Sequence, residues 1–282
     1  MGLPNLAIVA GSGALPLQLA EHCQSIGRSY KIIRFNGTQL DWASNHPVIS
    51  AEFEKPKSLF SAIRKAGCKQ IVFAGAIQRP KLNPLKFDLA FLKFAPTLLP
   101  ALKKGDDTTL RMIASLFESE GFKIISAHQI LDQLMVPKGI LTRIHPSLGS
   151  QLDIERGFSI LNIMAEADVG QACIVGQGLC LGIETVQGSD YLISNVGTAK
   201  GNYLEDIKGC NGVFIKAPKV GQDTRLDTPT IGPVTIQSVY DAGLSGIAIK
   251  ANSVQILEKD ACVKLANNLE LFIVSVPDIL TK

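Results

Sequence analysis

Asp223, Arg225 and Asp227 fall within five positions of one another in the segment GQDTRLDTPTIGP, residues 221–233. The segment follows the apolar run GVFIKA and the cations Lys216 and Lys219, and Gly and Pro break both of its ends, so it reads as a loop. Such a set suits hydrolysis of a pyrophosphate. An arginine or a hard cation spreads the charge on phosphoryl oxygens, a carboxylate binds metal or orients water, and the leaving phosphate is stabilised. The loop, with Lys216, carries groups for all three tasks. The plainer reading is a surface turn with a local Asp–Arg pair, which contributes little. Polar loops that leave apolar strands are more often functional than not.

Other candidates surround it. Gly11, Ser12, Gly13, Ala14 and Leu15 follow one apolar run and open a helical pattern, where backbone N–H groups can cradle a phosphate. A third glycine is missing, and Arg34 and Asn36 stand where a nicotinamide enzyme places its ribose-binding acid, so NAD binding is disfavoured. Gly75 and Arg79 leave the end of another strand, and Arg79 is placed to clamp a phosphate or to lie solvated on the surface. Asp106 and Asp107 precede a helix; one reads as N-cap, and the second serves metal or a ribose hydroxyl or, as spacing alone favours, only the helix start. Glu184 ends the run LCLGIE, and Gly188, Ser189 and Asp190 follow as a turn, adding carboxylates to a metal or sugar site or simply shaping that turn. His128 at a strand end reads as structural.

These groups need a scaffold, and the apolar periodicity supplies one. Through residue 133 the runs LAIVA, YKIIRF, QIVFAGAI and KIISA alternate with helical patterns, among them LPLQLAEHCQSIG, KSLFSAIRKAG and Thr108 to Glu120. That alternation predicts a Rossmann-like parallel sheet flanked by helices. After a linker at residues 135–139, residues 138–282 read as a second α/β domain with a mixed sheet. Its elements are a helix over Ile154 to Glu166, a hairpin QACIVGQ/LCLGIETV turning at Gly178, the strands GVFIKA, GIAIKA, VQILE and LFIVSV, and helices over Thr235 to Ala242 and Asp260 to Asn267. A site between two such domains is the natural expectation.

Composition narrows the partners. A net charge of +3 over 282 residues gives no basic footprint for nucleic acid. None of the six Cys residues forms a CxxC pair, and the start lacks a basic n-region and cleavage site, which favours the cytoplasm. No run nears the length of a membrane span. The segment LNPLKFDLAFLKFAPTLLPAL (Leu82 to Leu102), edged by Lys86, Lys93, Lys103 and Lys104, serves either a core or an apolar wall near a membrane interface.

Seven ordered segments resemble the LpxI family of UDP-2,3-diacylglucosamine pyrophosphatases: AGSGALP, AGAIQRP, LLPALKKGDD, EGFKIISAH, DVGQACIVGQGLCLGIETVQGSD, KAPKVGQDTRLDTPTIGP and AGLSGIAI. The resemblance implies cleavage of UDP-2,3-diacylglucosamine to UMP and 2,3-diacylglucosamine 1-phosphate in lipid A synthesis. It implies Mg2+ or another divalent metal, the cytoplasm of Gram-negative bacteria, and a lipid chamber between the domains; peripheral contact with the inner membrane surface rests instead on the Leu82 to Leu102 segment. The resemblance places the essential acid in R-x-D-x-P-T-I-G, hence at Asp227. In the expected roles, Asp227, helped by Asp223, Glu184 or Asp190, binds magnesium or positions water; Arg225, Lys216 and Arg79 neutralise the pyrophosphate; and Gln171 and Thr230 join the substrate-binding residues. The sequence leaves the oligomeric state open, a homodimer among the options. The chain departs from the family at Ser12, where GGGALP is common, at Thr228, and in GDDTTL. The rival functions are a nicotinamide-dependent oxidoreductase and a non-catalytic nucleotide-lipid carrier.

Overall fold

The computed structural model describes residues 3–77, 82–101, 106–205, 211–219 and 221–277. The chain divides into two compact units, Met1–Asp132 with Asp223–Asp227, and Gln133–Gln222 with Thr228–Lys282.

The first unit is built on strands β1 (Leu6–Ala10), β2 (Tyr30–Phe35), β3 (Val48–Ala51), β4 (Gln70–Ala74) and β5 (Lys123–Ile124). They pair in the order β3-β2-β1-β4-β5, all parallel, as the alternation of periods predicts. All five residues of β1 are buried, as expected of a central parallel strand covered on both faces. Helix α1 (Leu15–Ser25) carries Pro16 in its first turn, where a missing N–H costs nothing. Helix α2 (Pro56–Lys65) turns Leu59, Phe60 and Ile63 inward. Phe60 meets Phe117 of α4 (Asp106–Ser119) edge to face, with ring centroids 5.1 Å apart. Between them in sequence lies α3 (Leu89–Ala101), which contains Pro96 and Pro100. Strand β3 has no counterpart in the sequence reading; four residues after a proline are too few to show a period. KIISA contributes only two residues to the sheet.

The second unit has a six-stranded mixed sheet of order β6-β13-β11-β9-β7-β8. These strands are β6 (Gly139–Ile140), β7 (Ala172–Gly176), β8 (Leu179–Ile183), β9 (Val213–Lys216), β11 (Gly246–Lys250) and β13 (Phe272–Val276). A separate parallel pair joins β10 (Thr230–Ile231) to β12 (Gln255–Ile256). The hairpin β7/β8 forms as expected, with Gln177 at φ +48° and Gly178 at φ +78°. Helix α5 (Leu148–Glu166) packs Ile154, Phe158, Leu161 and Met164 into a core shared with Val213 and Ile215. It begins six residues before the predicted Ile154, because Ser147 caps it by accepting the Ser150 N–H. Its first turns expose Leu148 and Leu152 and bury Asp153, which inverts the apolar signal. Asp153 is buried because its carboxylate accepts N–H groups from both hairpin-turn residues, Gln177 at 3.0 Å and Gly178 at 2.7 Å. Helices α6 (Ser189–Ala199), α7 (Pro233–Asp241) and α8 (Lys259–Asn268) complete the unit. Among the described residues no helix is long and apolar enough to cross a membrane.

Candidate active site

In the first unit the carboxyl ends of β1 and β4 form the switch point, since β2 and β3 lie to one side of β1 and β4 and β5 to the other. Ligands of open α/β sheets bind at such a point. Gly11, Ser12 and Gly75 all lie there, and their loops are joined. The Ser12 N–H donates to Ala76 O at 2.8 Å and the Ala76 N–H returns to Ser12 O at 3.0 Å, while the Ser12 hydroxyl also donates to Ala76 O at 3.1 Å. Glycine is required here. A Cβ on Gly11 would stand 2.4 Å from Ala76 O, and one on Gly75 would stand 2.3 Å from Ser12 O. Gly13 leaves at φ +98°, and Ala14 caps α1 without a side-chain acceptor, so no side chain competes with a ligand there. Arg79 lies outside the described residues. Asp106 and Asp107 form the first turn of α4, and their side chains are outside the described set.

The acidic loop is a loop in the structure. Leu226, 9% exposed, is buried among the first unit's core residues, and Pro229 is buried, while Asp227 between them is exposed. The Asp223 carbonyl accepts the N–H groups of Leu226 and Asp227, at 2.9 and 3.3 Å. Arg225 grips both Asp223 oxygens through Nε at 3.0 Å and Nη2 at 2.7 Å. This hydrogen bonding is the main reason the Asp223 carboxyl is held below the usual carboxylate range. The third guanidinium nitrogen, Nη1, donates to Glu118 at 2.9 Å. Glu118 carries no motif that marks it in the sequence. At the loop's start the Lys219 ammonium pairs with Asp168 at 2.5 Å, and the Lys219 N–H donates to Gln222 Oε1. Thr230 donates its hydroxyl to Thr228 O at 2.8 Å, at the start of β10.

The second unit gathers Gln171, Glu184, Ser189 and Lys216. Lys216 ends β9, Gln171 precedes β7, Glu184 follows β8, and Ser189 opens α6 rather than lying in a turn, with Gly188 as its N-cap at φ +86°. The Lys216 ammonium donates to the Ser189 hydroxyl at 2.7 Å, and that hydroxyl donates to Glu184 Oε1 at 2.6 Å. Glu184 Oε2 accepts the Gln171 N–H at 2.9 Å. Lys216 and Glu184 stand 4.0 Å apart with side chains 8% and 9% exposed. Gln171 Oε1 is buried and accepts no hydrogen bond among the described residues. Asp190 is exposed in the first turn of α6.

Among the described residues no three His, Cys, Asp or Glu side chains gather to hold a metal. Magnesium does not require such a cage; it keeps several waters and takes one or two carboxylates together with substrate phosphates. An exposed carboxylate on a braced loop, such as Asp227, fits that need. Glu184 already has both oxygens engaged and faces an ammonium. The described thiols are free, and burial raises those of Cys23, Cys68 and Cys173 and pushes Cys262 up to about 12, so none of these four is poised as a nucleophile.

The fold is that of a two-unit α/β protein, with crossed glycine loops at the strand ends of the first unit. Models described as the LpxI N-terminal domain and the LpxI C-terminal domain match residues 5–134 and 137–274, and the chain belongs to the LpxI family. The UDP-2,3-diacylglucosamine pyrophosphatase LpxI of Caulobacter vibrioides is 36% identical over 279 residues, covering 96% of this chain and 97% of that protein. Among solved structures, N5-carboxyaminoimidazole synthase from Aspergillus clavatus is 11% identical with a TM-score of 0.23, covering 68% of this chain and 43% of that one. The biotin carboxylase subunit of pyruvate carboxylase is 10% identical with a TM-score of 0.24, covering 74% and 44%.

Proposed function

We propose that this protein hydrolyses UDP-2,3-diacylglucosamine to UMP and 2,3-diacylglucosamine 1-phosphate, a step of lipid A synthesis. The relative from Caulobacter vibrioides, similar along nearly its whole length, bears that activity in its name. The structural observation that carries the chemistry is Asp227, an exposed carboxylate set between the buried Leu226 and Pro229. A base or metal-binding acid must keep its position while charge develops on the phosphoryl group, and these anchors supply that restraint.

Asp227 orients the attacking water and takes up its proton as the new P–O bond forms and the P–O bond of the anhydride breaks. When bound, magnesium neutralises the phosphoryl oxygens and lowers the pKa of water. Lys216 supplies a fixed positive charge for a phosphate, with Ser189 and Glu184 setting its orientation. Gln171 Oε1 receives a hydroxyl or amide donor of the substrate. The switch-point turn Gly11–Leu15 offers N–H groups to the nucleotide phosphate. Arg225 acts through the loop, its guanidinium engaged by Asp223 and Glu118.

The test is UMP release from UDP-2,3-diacylglucosamine with magnesium and with chelator. Asp227→Asn should lose activity by about 1,000-fold or more while unfolding at the same temperature, as expected when a group acting in the transition state is removed. Turnover unchanged in that variant removes Asp227 from the reaction. Binding without turnover makes the protein a carrier, and tight nicotinamide binding makes it an oxidoreductase.

A further inference from the structure

We propose that the outer face of α3, with the lysine-lined depression beside it, docks the first unit onto an anionic lipid bilayer. Leu89, Leu92, Pro96 and Leu99 recur at helical spacing and share one side of the helix. Leu89 is 82% exposed, Leu92 53% and Leu99 39%, whereas Phe91 on the opposite side is 1% exposed. Leu85, 95% exposed, extends the stripe from the adjoining 3-10 turn Pro84–Lys86. Single exposed leucines need no account, but three in register with Pro96 on one side of a helix form the apolar half of an interfacial helix.

The other half is charge. An open depression of about 620 Å³ next to this stripe has Lys55, Lys57, Lys65 and Lys86 in its lining, with Asp88 as its acid. Lys55 and Lys86 share one acid, Glu52, at 2.7 and 3.6 Å. Lys57 and Lys65 are exposed and have no carboxylate partner among the described residues. Residues 81–104 contain five Lys and one acid, Asp88. That acid is half-buried, lines the depression, and has both carboxylate oxygens engaged by backbone N–H groups. Its Oδ1 accepts the Phe91 N–H at 2.6 Å and caps α3, and its Oδ2 accepts the Lys57 N–H at 3.2 Å in the first turn of α2. Lysines outnumber the acid in the lining of the depression beside the leucines by four to one. Apolar side chains beside unpaired lysines match the acyl boundary and phosphate layer of an anionic leaflet, and match neither an aqueous surface nor an acidic soluble partner as well.

The inference does not depend on the hydrolase reading, because its test contains no nucleotide lipid. The full chain is sedimented with vesicles of phosphatidylglycerol and phosphatidylethanolamine, or of phosphatidylcholine alone. Expected is partition onto the anionic vesicles, weakened by salt, with little onto phosphatidylcholine. Leu89→Ser with Leu92→Ser should lower that partition about tenfold or more. Lys57→Gln with Lys65→Gln, both at solvated positions, should lower it by about tenfold with an unchanged unfolding temperature, and so tests the idea even if the leucine variant misfolds. A chain that stays in solution with anionic vesicles at low salt overturns the proposal, as does either variant partitioning like the parent. If the leucine variant passes from dimer to monomer in solution while vesicle partition is unchanged, the stripe is a contact between copies and the proposal falls.

Discussion

Arg225 reaches Glu118, 107 residues earlier in the chain, with Nη1 at 2.9 Å from the carboxylate, while Nε and Nη2 clasp Asp223. One side chain thus fixes the curvature of the loop and its attachment to α4, and Asp227 is held two residues further on. Both ends of the Arg225–Glu118 pair are more than two-fifths exposed, so its contribution to global stability is small, below about 1 kcal/mol. Its effect is positional.

Arg225→Met should therefore separate stability from turnover. Unfolding free energy should fall by no more than about 1 kcal/mol. UMP release should fall by about 100-fold, as displacing a catalytic group by an ångström can do. Glu118→Gln keeps the Asp223 clasp and should lose far less. If Arg225→Met turns over like the parent, the clasp does not position Asp227.

The crossed loops at the switch point make a second test. Gly75 has φ +80° and its missing Cβ would lie 2.3 Å from Ser12 O; Gly13 has φ +98° but open space around it. Gly13→Ala should cost only the backbone strain, about 1–2 kcal/mol. Gly75→Ala adds a collision with backbone and should cost about 3 kcal/mol or more. Urea denaturation of the two variants decides it, and equal losses would mean that the crossing relaxes freely.

Much of this was legible in the sequence because it rests on local patterns. The apolar runs LAIVA, YKIIRF and QIVFA become β1, β2 and β4, and Gly178 sits in the hairpin turn. What stayed hidden depends on distance or on burial that opposes polarity. Asp153 sits inside because the hairpin turn feeds it two N–H groups, and no period announces that. Glu118 meets Arg225 only through the fold. Ser189, read as a turn residue, opens a helix because Gly188 supplies the left-handed entry. The acidic loop was legible as a loop and as a cluster of charges, but its sequence did not show that Arg225 would be engaged by two acids.

The buried group at β9 predicts a nonadditive pair. Lys216→Met leaves the Glu184 carboxylate buried without its cation and should destabilise by about 3–5 kcal/mol. Glu184→Gln alone removes the carboxylate that faces the buried ammonium and should also destabilise. The double variant should regain more than half of the summed loss, since it removes both charges. Additive losses in urea denaturation would show that the two do not act on each other through Ser189.

Acid should weaken the protein through His128. Its Nδ1 is buried without a partner among the described residues, its Nε2 lies 3.1 Å from the Ser126 hydroxyl, and burial lowers its pKa below the usual histidine value. The folded protein therefore resists a proton that the unfolded chain accepts. Protons bound only by the unfolded state draw the equilibrium toward it. The stability is full above the unfolded pKa of about 6.5 and is lost as the pH falls from there to the lower folded pKa, below which the loss stops growing. His128→Gln keeps a neutral polar side chain and removes the titration. Measured by urea denaturation between pH 8 and pH 5, the parent should lose stability relative to this variant as the pH falls. A difference that is constant with pH would mean that His128 protonates alike in both states.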